Sequence, residues 1–134
     1  MALGRILVVD DEADVRKSVR FCLNKAGYDT VEAENGAEAI AQMTSGDNPL
    51  MVDAIVCDLN MPKVCGEEAI SYFRTQFPSV PVLVLTGYPD TAGAADLYRR
   101  GVSDYLTKPV ESYKLAAAVD RLARNHVYAD PFTV

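Results

Sequence analysis

Strand-like runs alternate with helix-period segments five times along this chain, and no other feature constrains its fold as much. Residues 5–9 (RILVV) form a short, β-branched, almost wholly apolar run, the pattern of a strand covered on both faces. Over residues 12–26 the apolar positions Val15, Val19, Cys22, Leu23 and Ala26 make a helical stripe that stops at Gly27. Residues 28–33 (YDTVEA) alternate, which suits a strand near a sheet edge. Asn35-Gly36 is turn chemistry, residues 37–43 favour helix, and residues 45–50 (SGDNPL) are expected to be loop.

The second half repeats the theme. Residues 54–57 predict a buried strand ending at Asp58, followed by a loop with Met61-Pro62 and Gly66. A helix then carries Ala69, Ile70, Phe73 and Phe77 on one side. Pro81 opens a strand over 82–85 that ends at Thr86-Gly87. The helix over 90–100 contains Gly93 and few large apolar groups, so it is expected to be the least firmly held. A last strand, 103–107, ends at Lys108-Pro109, and a helix over 111–125 turns Leu115, Val119, Leu122 and Ala123 inward. These elements suit one domain over residues 1–127, with a loosely ordered tail over 128–134 that contains Pro131.

Strict alternation implies an α/β fold: a doubly wound, five-stranded parallel sheet between two helical layers, joined by right-handed crossovers. Binding sites in such sheets form at the carboxyl ends of the strands, where the winding reverses. Those ends carry Asp10, Asp11 and Glu12, then Asp58, Thr86 and Lys108. With strand order 2-1-3-4-5, the first and third strands are neighbours and Asp10, Asp11 and Asp58 converge. Three close carboxylates repel unless a cation is present, and an oxygen-ligated Mg²⁺ resolves the conflict. The ion, the Lys108 ammonium and the Thr86 hydroxyl then make a pocket for a phosphoryl group. Asp58 at its centre suits a nucleophile that forms an acyl phosphate.

Charge and composition narrow the classes. Thirteen Lys plus Arg against nineteen Asp plus Glu leave a net charge of −6, which argues against binding nucleic acid or an anionic membrane. No apolar run approaches the ~20 residues that span a bilayer. The start runs directly into a strand, so no secretory signal peptide and a cytoplasmic location are expected. Cys22, Cys57 and Cys65 have no C-x-x-C spacing, which argues against a disulfide framework or a zinc site. His126 is the only histidine, and a multi-His metal centre is thereby excluded.

The motifs VVDDE at Val8 to Glu12, DLNMP at Asp58 to Pro62 followed by Gly66, TG at Thr86-Gly87 and DYLTKP at Asp104 to Pro109 resemble the receiver domain of two-component response regulators. Each is weak alone; together, in order and at strand ends, they cover essentially the whole chain. The resemblance implies a CheY-like, flavodoxin-like (βα)5 sandwich. It also implies that Asp58 is the phosphoacceptor, served by a histidine kinase or phosphotransfer protein. Asp11, Asp58 and the backbone carbonyl of Asn60 would bind Mg²⁺, with Asp10 acting through a water on the ion. Lys108 would pair with the phosphoryl group, Thr86 would donate a hydrogen bond to it, and Tyr105 would be the aromatic switch. The Lys108–Pro109 bond is expected to be cis. Asn60 and Tyr88, each two residues beyond a site residue, are expected to tune how fast the acyl phosphate hydrolyses. The face formed by the fourth helix, fifth strand and fifth helix, with Tyr98, Arg99, Arg100, Asp104 and Leu115, would meet a target protein or a second copy.

Plainer roles stand beside these. Asp11 ahead of Val15 also suits a helix cap, Thr86-Gly87 a simple turn, and Tyr105 half-buried strand packing. Cys57 suits a small core hydrophobe, Cys65 an exposed thiol, and His126 a surface residue near a helix end. Two other functions share parts of the pattern. An aspartyl-phosphate hydrolase of the haloacid dehalogenase kind needs a second carboxylate two residues after its nucleophile, where this chain has Asn60. A flavodoxin-like cofactor carrier needs a Ser, Thr and Gly-rich first loop, where Asp10, Asp11 and Glu12 would repel phosphate.

Overall fold

The structure, a computed structural model, describes residues 2–58, 66–87 and 91–128. Along them run β1 (Arg5–Val9), α1 (Ala13–Lys25), β2 (Asp29–Ala33), α2 (Gly36–Met43), α3 (Asn48–Met51) and β3 (Val52–Asp58). Then follow α4 (Gly66–Gln76), β4 (Val82–Thr86), α5 (Thr91–Arg99), β5 (Asp104–Thr107) and α6 (Ser112–Tyr128). The five strands are parallel in the order β2-β1-β3-β4-β5, which puts the alternating strand β2 at an edge.

The side-chain period of two divides each strand between two cores. Leu7 and Val9 of β1, with Ile55, Cys57, Val82 and Val84, pack under α2, α4 and α5 through Ala39, Met43, Ala69, Ile70, Phe73 and Leu97. Ile6 and Val8, with Ala54, Val56, Leu83 and Leu85, pack under α1 and α6 through Val19, Leu23, Leu115, Val119 and Leu122. Burying each such large side chain is worth about 1.5–3 kcal/mol, so both helical layers are held by the same mechanism. Phe77 packs only partly buried at the rim of the first core.

Helix ends follow local chemistry. Asn35 caps α2 by accepting the Glu38 N–H at 2.8 Å. Gly27, just past α1, adopts φ 104°, a left-handed conformation that glycine takes without the Cβ penalty.

Two local expectations need correction. Residues 45–50 are not all loop, because Asn48–Met51 makes a helical turn with Pro49 in its first turn, where a missing N–H costs nothing. The Asn48 amide secures it by donating to the Gln42 carbonyl at 2.7 Å and accepting from Arg5 at 2.9 Å. Strand β3 also begins at Val52, two residues ahead of the apolar run. The pairing with β1 shifts register between Arg5 and Ile6, and the Asp53 carboxylate accepts the Arg5 N–H at 3.2 Å. At the other end of the chain, α6 extends through Tyr128, and residues 129–134 lie outside those described.

Candidate functional site at the carboxyl edge of the sheet

The register brings the chemistry-bearing residues to one edge. Val9 pairs with Cys57, so Asp10 and Asp58 follow side by side; Asp58 pairs with Leu85, which puts Thr86 one step beyond. Thr86 in turn pairs with Thr107, and the Lys108 N–H donates to the Thr86 carbonyl at 2.7 Å. Asp10, Asp58 and Thr86 are all buried, each 5 % exposed or less. Polar residues are this deeply buried only where partners compensate them.

For the two carboxylates, Lys108 supplies that compensation. Its Nζ lies 3.2 Å from Asp10 Oδ2 and 3.2 Å from Asp58 Oδ2, bridging the ends of β1 and β3 from the end of β5. Burial works against the ammonium, but the two carboxylates outweigh it and hold the Lys108 pKa above the usual lysine value. Burial pushes the Asp10 carboxyl up; the Glu12 N–H pulls it back, the charge of Asp58 adds to the rise and Lys108 opposes it. The Lys108–Pro109 peptide is cis, as the resemblance implies.

Asp10 is held from every side. Its N–H donates to the Ala33 carbonyl at 3.1 Å, and its Oδ1 accepts the Glu12 N–H at 2.9 Å. The cap of α1 is Glu12, without a side-chain cap bond, so Asp11 does not take the capping role. Carboxylate oxygens of Asp10, Asp11 and Glu12 lie within 4.8 Å of one another, with Asp11 and Glu12 exposed. This all-oxygen, acidic set fits a hard divalent cation such as Mg²⁺. Glu12 in that cluster is a residue the sequence reading leaves out of the metal set, although the run of three acids contains it. Asp58 is tied to the cluster through Lys108 and Asp10.

Tyr105 is half-buried on β5, packs against the first core, and meets Tyr98 edge-on at 6.0 Å between ring centres. Tyr98 and Arg121 both bond Asp104, linking α5, β5 and α6 on one face. Arg100, just past the end of α5, reaches back to Asp96 on that helix at 2.8 Å, and Leu115 is buried. Cys57 is buried in the first core, whereas Cys22 is half-buried and donates to the Ser112 carbonyl at 3.3 Å. Asn60 and Tyr88 lie outside the described residues, as do Met61, Pro62 and Cys65. Among the described residues no helix is long and apolar enough to cross a membrane.

Comparison with known proteins agrees with this geometry. Residues 6–120 match the family profile described as the response regulator receiver domain. Response regulator MprA of Mycobacterium ulcerans (strain Agy99) is 38 % identical over 120 residues, covering 90 % of this chain and 50 % of that protein. The transcriptional regulatory protein PrrA of Mycobacterium tuberculosis is 37 % identical over 120 residues, covering 90 % of this chain and 50 % of its own length. The chain thus spans about half the length of these curated relatives. Among solved structures, a receiver domain from Clostridium thermocellum superposes with TM-score 0.87 at 28 % identity, covering 95 % of this chain and 99 % of that one. The chemotaxis protein CheY4 of Vibrio cholerae gives TM-score 0.81 at 29 % identity, covering 90 % and 99 %. With the sheet order, the acidic edge and these matches in agreement, the chain belongs to the response regulator receiver domain family of two-component signalling.

Proposed function

We propose that Asp58 accepts a phosphoryl group from the phosphohistidine of a histidine kinase or phosphotransfer protein. The observation that carries this reading is the Lys108 ammonium, 3.2 Å from both Asp10 and Asp58 at a buried acidic edge. A carboxylate oxygen of Asp58 attacks phosphorus, the phosphorus–nitrogen bond breaks, and the imidazole leaves with the electron pair. The product is an acyl phosphate on Asp58. Lys108 moves its charge from the two carboxylates to the incoming phosphoryl oxygens, and the Thr86 hydroxyl donates to one of them. Asp10, Asp11, Asp58 and the Asn60 carbonyl would hold Mg²⁺, with Glu12 alongside. Bound there, the ion neutralises the crowded carboxylates and the transferring phosphoryl oxygens.

The Thr86 hydroxyl and Tyr105 then form the switch. Drawing Thr86 toward the phosphoryl group opens space for the Tyr105 ring to turn inward from its contact with Tyr98. That movement would remodel the face of α5, β5 and α6, where a target protein or a second copy docks. Asn60 and Tyr88 set the lifetime of the acyl phosphate, and a bulky Tyr88 hinders attacking water. On this reading the chain is a cytoplasmic signalling phosphoacceptor with at most slow self-dephosphorylation. The test is incubation with Mg²⁺ and a small acyl-phosphate donor, read by intact mass. Wild type should gain one phosphoryl mass; equal gain by Asp58→Asn would overturn the assignment.

A further inference from the structure

Arg16, on the first turns of α1, touches the acidic edge from behind. Its NH1 donates to the backbone carbonyl of Asp10 at 2.8 Å, while its Nε faces Glu32 Oε1 at 3.4 Å. The side chain is 17 % exposed. Glu32 also receives Arg20 NH1 at 3.0 Å, so α1 is tethered to β2 without any help from Arg16. What Arg16 adds is its grip on the Asp10 carbonyl.

That carbonyl belongs to the peptide that leads into Asp11. On the other side of the turn, Asp10 Oδ1 takes the Glu12 N–H at 2.9 Å. Together the two bonds fix the orientation of residues 10–12, whose carboxylate oxygens lie within 4.8 Å of one another. Glu32 pairs with the Arg16 charge, which reduces its repulsion of a cation bound nearby. We infer that Arg16 is a positioning residue for the divalent-cation site, holding the β1–α1 turn in its metal-ready geometry. The inference rests on the phosphoacceptor reading above, since it gives that site its purpose. Residues that orient ligands in this indirect way commonly change metal affinity by about 10–100-fold when removed.

The experiment compares wild type, Arg16→Met, Arg16→Lys and Arg20→Met. Mg²⁺ affinity is measured by calorimetric titration, and the rate of acyl-phosphate-driven phosphorylation is followed across Mg²⁺ concentrations. Arg16→Met should raise the Mg²⁺ concentration for half-maximal rate by about tenfold, with the saturating rate largely recovered. Arg16→Lys, which keeps the charge and one donor toward the carbonyl, should recover most of the affinity and remains informative if the methionine variant folds poorly. Arg20→Met, which loosens the tether but leaves the Asp10 contact, should leave the Mg²⁺ dependence at the wild-type value. An unshifted Mg²⁺ dependence in Arg16→Met, or an equal shift in Arg20→Met, would overturn the inference. A wild type that binds Mg²⁺ but takes up no phosphoryl group would instead sink the underlying functional reading and leave the calorimetric comparison to decide the role of Arg16.

Discussion

Lys108 and Asp58 stand at the ends of β5 and β3, with β4 between them, yet Lys108 Nζ reaches Asp58 Oδ2 at 3.2 Å. The same ammonium serves Asp10, and both carboxylates are almost wholly buried. Replacing it removes a cation shared by two acids in a poorly solvated place. Lys108→Met should therefore destabilise the metal-free protein by about 1–3 kcal/mol, the exposed part of Lys108 keeping the loss below that of a fully buried pair. Saturating Mg²⁺ binds the folded state and should restore part of the loss. Urea unfolding with EDTA and with excess Mg²⁺ reads both effects. Equal midpoints for variant and wild type in EDTA would show that the ammonium does not hold the acids in place.

At the opposite end of the sheet, the Tyr28 hydroxyl donates to Asp120 Oδ1 at 2.7 Å, joining α6 to the residue that leads into β2. Burial, and then the Asp120 carboxylate, push the Tyr28 phenol up to about 12 from its ordinary 10.0. The Tyr28 hydroxyl, and then Arg124, hold Asp120 below the ordinary 3.8. The raised phenol favours folding while it is protonated, so this contribution is complete below pH 10.0 and fades as pH climbs toward about 12. The lowered carboxyl has the opposite sense, and its contribution fades as pH falls below 3.8. Tyr28→Phe should cost about 1 kcal/mol at neutral pH, and the gap from wild type should close at alkaline pH. Chemical denaturation at pH 7 and above pH 11 tests this; a gap independent of pH would rule out the hydroxyl–carboxylate bond as its source.

Asn35 offers a test of a purely local signal. Its side chain accepts the Glu38 N–H at 2.8 Å and satisfies one of the free donors at the start of α2. Asn35→Ala should lower stability by about 1 kcal/mol, and Asn35→Asp should retain most of it. Thermal unfolding of the pair distinguishes a lost cap from a general loss of packing.

Much of this was legible in the sequence because the informative residues obey simple periods. The run RILVV has no polar interruption, and β1 spans Arg5–Val9 as the run predicts. The acids, Thr86 and Lys108 stand directly at strand ends, so the parallel topology alone brings them to one edge. Less legible were features that depend on distant partners. The helical turn Asn48–Met51 is written in loop-forming residues and is held by Gln42 and Arg5. The start of β3 at Val52 depends on an Asp53 contact across strands. Arg16 looks like any solvated arginine on an amphipathic helix until its bond to the Asp10 carbonyl is seen.

Gly101 acts through its backbone conformation rather than through any side-chain contact. It follows α5 with φ +95°, the left-handed turn that delivers the chain into β5 and so to Lys108. A Cβ there would stand 2.8 Å from Arg74 Nε, and Arg74 NH1 is itself engaged with the Val80 carbonyl at 3.1 Å. Gly101→Ala thus combines backbone strain with displacement of a tethered arginine, although the flexible Arg74 side chain can yield in part. The expected cost is about 1–2 kcal/mol. Truncating the arginine separates the two causes: in an Arg74→Ala background the same glycine substitution should cost less, with only the strain of the turn remaining. Urea denaturation of the four proteins in the cycle provides the check, and an unchanged cost would assign the whole effect to the backbone.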